Sequence, residues 1–373
     1  MMQTIPMPPA EPPSTPAVDP SAARARELNN RGALLHLEGK LDEARAEYEA
    51  ALREYPENAS AANNLGYVLA QQGHLDEAIE TYRQALKIDP AKSTTFVNLG
   101  VAQMALGQGA AAVASLERAV ELDQKNVLAW DNLAQVFMSE GRLADAEQAW
   151  RAALQTAPTE ARFYTSLGTV IAAQQRIDEA AGILQHAVRL DPESAKAWTQ
   201  LGVVLLMRQD LGSATEALQQ GLSLAPDDHE ARHHLALVHL ARGQTAAAER
   251  ELERIALVAG QADAGFAGAH IDLGVIALSR GEWQLALDRI ETALPAEPEN
   301  PRALFYCAVA LDHLERAHES DDLLQKLVRD HRGKYAEQAR AYLDAKNGSP
   351  GQDFSAGQPA RSPGDQETKN VEP

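Results

Sequence analysis

The sequence predicts an all-helical chain built from one structural unit repeated along most of its length. Three observations carry that prediction. Leu65-Gly66, Leu99-Gly100, Leu133-Ala134, Leu167-Gly168 and Leu201-Gly202 recur with a period of 34 residues. Within each period apolar residues fall three and four apart, the spacing of a single helix face. No segment shows the two-residue alternation of a strand half-buried in a sheet.

Counting back from Leu65 places unit starts at 25, 59, 93, 127, 161, 195 and 229. Asp263 to Phe266 then intervene, and two more units start at 267 and 301, the last one degenerate. The second unit shows how each is made. Leu65, Val68 and Leu69 form the stripe of a first helix, and Gly73 sits where that helix must stop. Ala78, Ile79, Tyr82, Ala85 and Leu86 form the stripe of a second helix, and Pro90 ends it. Position eight is Gly or Ala throughout: Gly32, Gly66, Gly100, Ala134, Gly168, Gly202, Ala236, Gly274 and Ala308. The second helix repeats a small residue at Ala44, Ala78, Ala112, Ala146, Ala180, Ala214, Ala248 and Ala286, with Ser320 in the ninth unit. Small side chains at fixed positions let helix backbones approach closely, which is a packing role.

Flanking segments differ in composition. Residues 1–21 carry Pro6, Pro8, Pro9, Pro12, Pro13, Pro16 and Pro20 and are expected to form a flexible arm. Residues 347–373 are rich in Gly, Ser, Pro and charge, with Phe354 the main apolar residue, and are expected to be a disordered tail. The repeat region is expected over 22–346, closed by a capping helix over 335–346 that contains Ala341, Tyr342 and Leu343.

These units resemble the tetratricopeptide repeat (TPR) family, whose pattern is W-x2-L-G-x2-Y, then A-x3-F, then P. Trp198-x2-Leu201-Gly202-x2-Leu205, Ala214-x3-Leu218 and Pro226 follow it most closely. The resemblance implies an all-α, right-handed superhelical solenoid whose first helices line a concave groove for partners. Departures concentrate toward the ends. Arg31 and Cys307 stand where Leu is usual, and Gln124, Gly260 and Arg332 replace the closing Pro. At a Leu position, Cys307 reads as a buried small hydrophobe.

Composition narrows the function. With 53 acidic against 34 basic residues the formal charge is −19, the opposite of the basic footprint that nucleic-acid binding needs. Aromatic residues at 5% are too few for a base-stacking platform, and one cysteine provides neither an intramolecular disulfide nor a cysteine metal pair. There is no run of 18 apolar residues and no basic-then-apolar leader after Met1, so no membrane span and a cytoplasmic location are expected.

Positions two, five, nine and twelve of the first helix share a face, with position six beside it. Position six is Asn30, Asn64, Asn98 and Asn132 in the first four units, then Ser166, Gln200, His234, Asp272 and Tyr306. Each amide offers a donor and an acceptor, so a ladder of them suits an extended peptide backbone. It resembles the asparagine ladder of some TPR superhelices. Units six to eight differ, with Val203, Leu206, Leu237, Leu240, Val275 and Leu278 at positions nine and twelve. These make an apolar floor for a partner's side chains, or are covered by adjacent units or by a tail carrying Phe354; both readings stand at this point. The carboxylate clamp of some TPR domains is disfavoured. Its positions hold Asn29, Ala33, Asn64, Thr94 and Asn98 without a basic pair, and Lys196 is followed by Gln200.

Two motif matches compete with this reading. His229-Glu230-Ala231-Arg232-His233 satisfies H-E-x-x-H, which would make His229, His233 and His239 zinc ligands and Glu230 a general base. Ala236 stands where a Gly should turn the chain, and His239 lies well round the helix from His233. Gly107-Gln108-Gly109-Ala110-Ala111-Ala112 resembles a dinucleotide loop but falls between two helices, where that loop does not work. The expectation is therefore a non-enzymatic protein-interaction scaffold, without cofactor, that binds an extended peptide or a partner helix. The alternatives are an accessory subunit positioning an enzyme or a secretion or assembly machine, a zinc hydrolase, and a self-assembling structural protein. Homo-oligomerisation stays open.

Overall fold

The computed structural model describes residues 19–258 and 264–348. The arm expected over 1–21 lies outside the described residues except for Asp19, Pro20 and Ser21, and the last two belong to the first helix. The tail beyond Gly348, with Phe354, and Gly260 also lie outside them.

Nineteen helices and no strand occur among the described residues. The first helices of the hairpins are α1 (Pro20–Leu37), α3 (Ala59–Gln71), α5 (Ser93–Ala105), α7 (Val127–Ser139), α9 (Ala161–Ala173), α11 (Ala195–Met207), α13 (His229–Ala241), α15 (Ala264–Ser279) and α17 (Pro301–His313). Their partners are α2 (Leu41–Glu54), α4 (Leu75–Ile88), α6 (Gly109–Leu122), α8 (Leu143–Thr156), α10 (Ile177–Leu190), α12 (Leu211–Leu224), α14 (Thr245–Val258), α16 (Trp283–Ala293) and α18 (Ala317–Asp330). A single helix, α19 (Lys334–Gly348), follows the ninth hairpin. Helices α3, α5, α7, α9, α11 and α13 start on the residues from which the repeat was counted. The inserted Ala264, Gly265 and Phe266 extend α15 at its N-terminus, so that it has 16 residues where α13 has 13.

The fold is all-α and solenoidal, and it divides into two compact units, one ending at Pro158 and one beginning at Thr159. In the first, α1, α3, α5 and α7 touch in succession, while the second helices make no comparable contact with one another. In the second, α9, α11, α13, α15, α17 and α19 touch in the same way. Within each unit the first helices therefore form the inner face of the stack.

Every hairpin turns by the same device. The residue at position fifteen has positive φ: Gly39, Gly73, Gly107, Gly141, Gly243 and Gly281, but also Gln175, Gln209 and Glu315 at φ 64, 64 and 60°. Its N–H donates three residues back, and the next N–H donates five back, as in Gly73 to the Ala70 carbonyl (3.1 Å) and His74 to the Leu69 carbonyl (2.9 Å). This pairing satisfies carbonyls that the helix end leaves open. Five first helices open on a side-chain cap from Asn58, Asn126, Ser194, Asp228 or Asn300, each accepting from the N–H three residues on. The second helices end in extended backbone before proline at Tyr55, Asp89, Ala157, Asp191 and Ala225. Asp123 precedes Gln124 instead and is extended all the same, at φ −145° and ψ 93°.

Each hairpin closes through position eight. A Cβ on Gly66 would stand 2.7 Å from the Tyr82 ring, and one on Gly168 2.5 Å from Leu184 Cγ. Ala78, Ala112, Ala146, Ala180, Ala214, Ala248 and Ala286 are fully buried, as is Ser320. Cys307 is 3% exposed in the core with Ala303 and Leu311, and burial pushes its thiol up to about 12, so it acts as a packing residue.

Two outcomes follow. Replacing Gln175, Gln209 or Glu315 by Gly should raise stability by about 0.5–1 kcal/mol each in urea unfolding, because a side chain at positive φ costs more than glycine's extra freedom when unfolded. Gly168→Val should lower stability by about 1–3 kcal/mol by overpacking against Leu184, measured in the same way.

Candidate functional site

The inner face of the first helices carries the candidate residues, and its chemistry differs between the two units. In the first unit the position-six amides are bonded to position-five amides. Asn64 Nδ2 donates to Asn29 Oδ1 on the preceding hairpin at 3.0 Å, and Asn98 Nδ2 donates to Asn63 Oδ1 at 3.0 Å. Asn63 Nδ2 donates to Asn64 Oδ1 at 3.3 Å. One directed chain thus runs Asn98, Asn63, Asn64, Asn29 across three hairpins. Asn132 turns away from it and donates to the Leu128 carbonyl at 2.8 Å, and Asn30 is exposed. An amide nitrogen carries two N–H groups and its oxygen two lone pairs, so each linked Asn keeps capacity for a further partner.

Sequence reasoning missed the apolar part of this face. Tyr67 and Val101 at position nine and Leu128 at position two are 43%, 41% and 56% exposed, beside the amide chain. The aliphatic residues at positions nine and twelve are more numerous in the later units, which draws attention away from Tyr67 and Val101. Positions two, five, six, nine and twelve of hairpins two to four include a single charged residue, Asp131. It is buried and accepts from Trp150 Nε1 at 3.0 Å, so the charges beside the amides come from elsewhere: Asp89 and the exposed Lys92 line the hollow at Asn63 and Asn64.

In the second unit the expected apolar floor is partly absorbed by packing. Leu278 is 8% exposed and belongs to the core with Ala286 and Leu287, and Leu240 packs against Leu252, Ile255 and Leu273. Val203, Leu206, Leu237 and Val275 are half-buried. Leu278 therefore serves the core, whereas Leu240, like Leu206, is only partly buried.

Beside them lies a charged link between hairpins. Asp272, 1% exposed at position six, pairs with Arg302 on the next hairpin and with His233 Nε2 at 2.7 Å on the preceding one. Burial by itself would raise the Asp272 pKa, but the Arg302 guanidinium and the His233 bond outweigh it and hold the carboxyl below its ordinary value. Burial likewise opposes the charge on Arg302, and Asp272 more than restores it. Earlier in this unit Gln200 Nε2 donates to Glu230 Oε1 at 3.3 Å on the next hairpin.

These bonds bear on the H-E-x-x-H match. His233 is engaged by Asp272, His239 Nδ1 lies 2.8 Å from Gln244 Oε1, and Glu230 points to Gln200. Among the described residues no three His, Cys, Asp or Glu side chains converge as a metal requires. Gly107 and Gly109 stand in the turn and first residue of a helical hairpin, with no strand before them. No helix among the described residues is long and apolar enough to cross a membrane.

Asp272→Asn should destabilise the second unit by about 3–5 kcal/mol, since it leaves Arg302 buried without a counter-charge. A depressed carboxyl stabilises the fold fully above the ordinary carboxyl range near pH ~4 and loses that contribution as pH falls through its folded value. The stability difference between wild type and Asp272→Asn should therefore shrink on acidification below about pH 4, read by circular dichroism.

Comparison with known proteins agrees with this architecture. Residues 9–237 match the family described as the Cilia and flagella-associated protein 70 C-terminal domain, and residues 205–270 and 271–333 match tetratricopeptide repeat families. A chain of the APC/C hetero-tetramer Cut9-Hcn1 is similar with a TM-score of 0.56 and 19% identity, over 76% of this chain and 55% of that one. MamA from Desulfovibrio magneticus RS-1 is similar with a TM-score of 0.43 and 22% identity, over 46% of this chain and 96% of its own. YrrB, described as a TPR protein with an unusual peptide-binding site, gives 0.44 and 22%, over 50% of this chain and 96% of its own. No curated protein matches. With repeat register, hairpin geometry and a family match over more than half its length in agreement, the chain belongs to the tetratricopeptide repeat family, through the group described as the Cilia and flagella-associated protein 70 C-terminal domain.

Proposed function

We propose that this TPR protein is a non-enzymatic scaffold that binds an extended segment of a partner protein on the inner face of its first unit. The observation that carries this reading is the juxtaposition of the amide chain Asn98–Asn63–Asn64–Asn29 with the exposed Tyr67, Val101 and Leu128. An extended backbone leaves its own N–H and C=O groups unpaired, and the residual capacity of the amides can meet them at any sequence. Tyr67, Val101 and Leu128 supply apolar contact, with the polar groups fixing register. Lys92 and Asp89 line the hollow beside Asn63 and Asn64, so the charges within reach of a bound stretch there are one of each sign. The half-buried Val203, Leu206, Leu237 and Val275 extend the same chemistry in the second unit.

Val101→Asp/Leu128→Asp alters exposed residues and should leave helicity and thermal unfolding unchanged. Asn64→Ala/Asn98→Ala/Asn132→Ala should keep the helices while removing two inter-hairpin bonds, at a cost of about 0.5–1.5 kcal/mol each. Affinity capture with mass spectrometry then compares them with wild type. A partner held by the wild type and lost by both variants supports the inner face as the binding surface; a partner retained undiminished by both overturns it.

A further inference from the structure

A cavity of about 600 Å³ opens in the first unit between α6 and α8, away from the amide face, with Trp130, Leu133 and Phe137 of α7 as its floor. Its two walls have related chemistry. On one, Arg142 lays its guanidinium 4.1 Å from the centroid of the Phe137 ring and pairs with Asp145 at 2.8 Å. The other, formed by α6, contributes Glu117 and Glu121, with Trp130 in the floor between the walls. Arg142 is the one arginine of the cavity lining, and it is taken up by Phe137 and Asp145.

The two glutamates are spaced i, i+4 on α6, so they are neighbours on its surface and repel by a few tenths of a kcal/mol (~0.2–0.5). The same two positions of the repeat hold Glu49 and Arg53 in the first hairpin and Arg83 and Lys87 in the second. In the other hairpins they hold Arg151 and Gln155, Gln185 and Arg189, Gln219 and Ser223, Glu253 and Leu257, Glu291 and Pro295, and Gln325 and Arg329. Only the third hairpin places two acids there. Glu121 meets Arg118 at 2.8 Å, and among the described residues Glu117 has no ion-pair partner. The Trp130 ring is held in place, because its Nε1–H donates to the Gln124 carbonyl at 2.9 Å.

We propose that this cavity is a second docking site, and that it receives an arginine side chain of a partner protein, stacked on Trp130 and paired with Glu117 and Glu121. Charge complementarity selects the occupant: Arg118 meets Glu121, a further cation would meet Glu117, and a chain of charge −19 draws basic segments toward it. Arginine is favoured over lysine because its planar, weakly hydrated guanidinium stacks on an aromatic ring while its donors fork to carboxylates. Arg142 on Phe137 shows the same arrangement within the same cavity.

The test uses the full chain labelled at the indole nitrogens, with the Trp130 resonance identified by Trp130→Phe. The probe is the peptide acetyl-Gly-Arg-Gly-amide, set against its citrulline counterpart, which keeps the shape and loses the charge. The expected result is a saturable shift of the Trp130 indole signal by the arginine peptide. It should be about five-fold weaker or more with citrulline and in Glu117→Gln/Glu121→Gln. Glu43→Gln/Glu54→Gln, which removes the same charge from α2, should respond as wild type. The absence of a saturable shift, an equal response to citrulline, or equal weakening in both double variants overturns the proposal. Because the readout is local to Trp130, it is independent of binding at the inner face.

Discussion

The structure depends on how closely two helices approach within each hairpin. At position eight a Cβ on Gly66, Gly100, Gly168, Gly202 or Gly274 would stand 2.5–2.7 Å from the side chain sixteen residues later. That facing residue changes freely in shape: Tyr48, Tyr82, Leu116, Trp150, Leu184, Leu218, Leu252, Ile290 and Leu324. One partner must be small and the other large, because the space between two crossing helices is filled to the density of a solid. Once the hairpin is closed in this way, its remaining faces are determined. One contacts the hairpin before it, one the hairpin after it, and the inner and outer surfaces are left for other molecules.

The turn is the second constraint, and it tolerates more variation. All nine hairpins adopt positive φ at the same place, although three carry Gln or Glu there. The two turn hydrogen bonds and the packing on either side hold those residues in a conformation they would otherwise avoid. The closing proline behaves similarly. Asp123 before Gln124 adopts the backbone that its counterparts adopt before proline, so the path between hairpins is imposed by packing. Position four contributes to that path. Trp130 and Trp198 donate to the carbonyls of Gln124 and Pro192, at 2.9 Å each, and Arg232 reaches the Pro226 carbonyl. Where the repeat pattern has its Trp, in the fourth and sixth hairpins, it thus ties the hairpin to the end of the one before.

Position six joins consecutive first helices, and its chemistry sets the character of each unit's inner face. Neutral amides link hairpins in the first unit. A buried carboxylate does so in the second, where Asp272 draws in Arg302 and His233. Removing water from such a trio is offset only if all three remain, so it fixes geometry more than it adds stability. The same position carries a neutral amide link in one unit and a charged brace in the other.

The unit length, the helix class, the hairpin boundaries and the small positions were legible in the sequence, because each rests on local spacing and on which residues stop a helix. Helices α3, α5, α7, α9, α11 and α13 begin where the period places them, since an N-cap and a 3.6-residue stripe are short-range signals. The amides at position six were legible as a pattern, but their bonding to position five of the preceding hairpin was not. That contact joins residues about one repeat apart, and its geometry depends on how the hairpins stack. For the same reason Leu278 could be read as groove floor and is core, and Tyr67, Val101 and Leu128 passed unnoticed and are exposed. Amphipathic spacing assigns a residue to a face of its own helix. Only tertiary packing decides whether another helix covers that face, and so which of these side chains remain available to a partner.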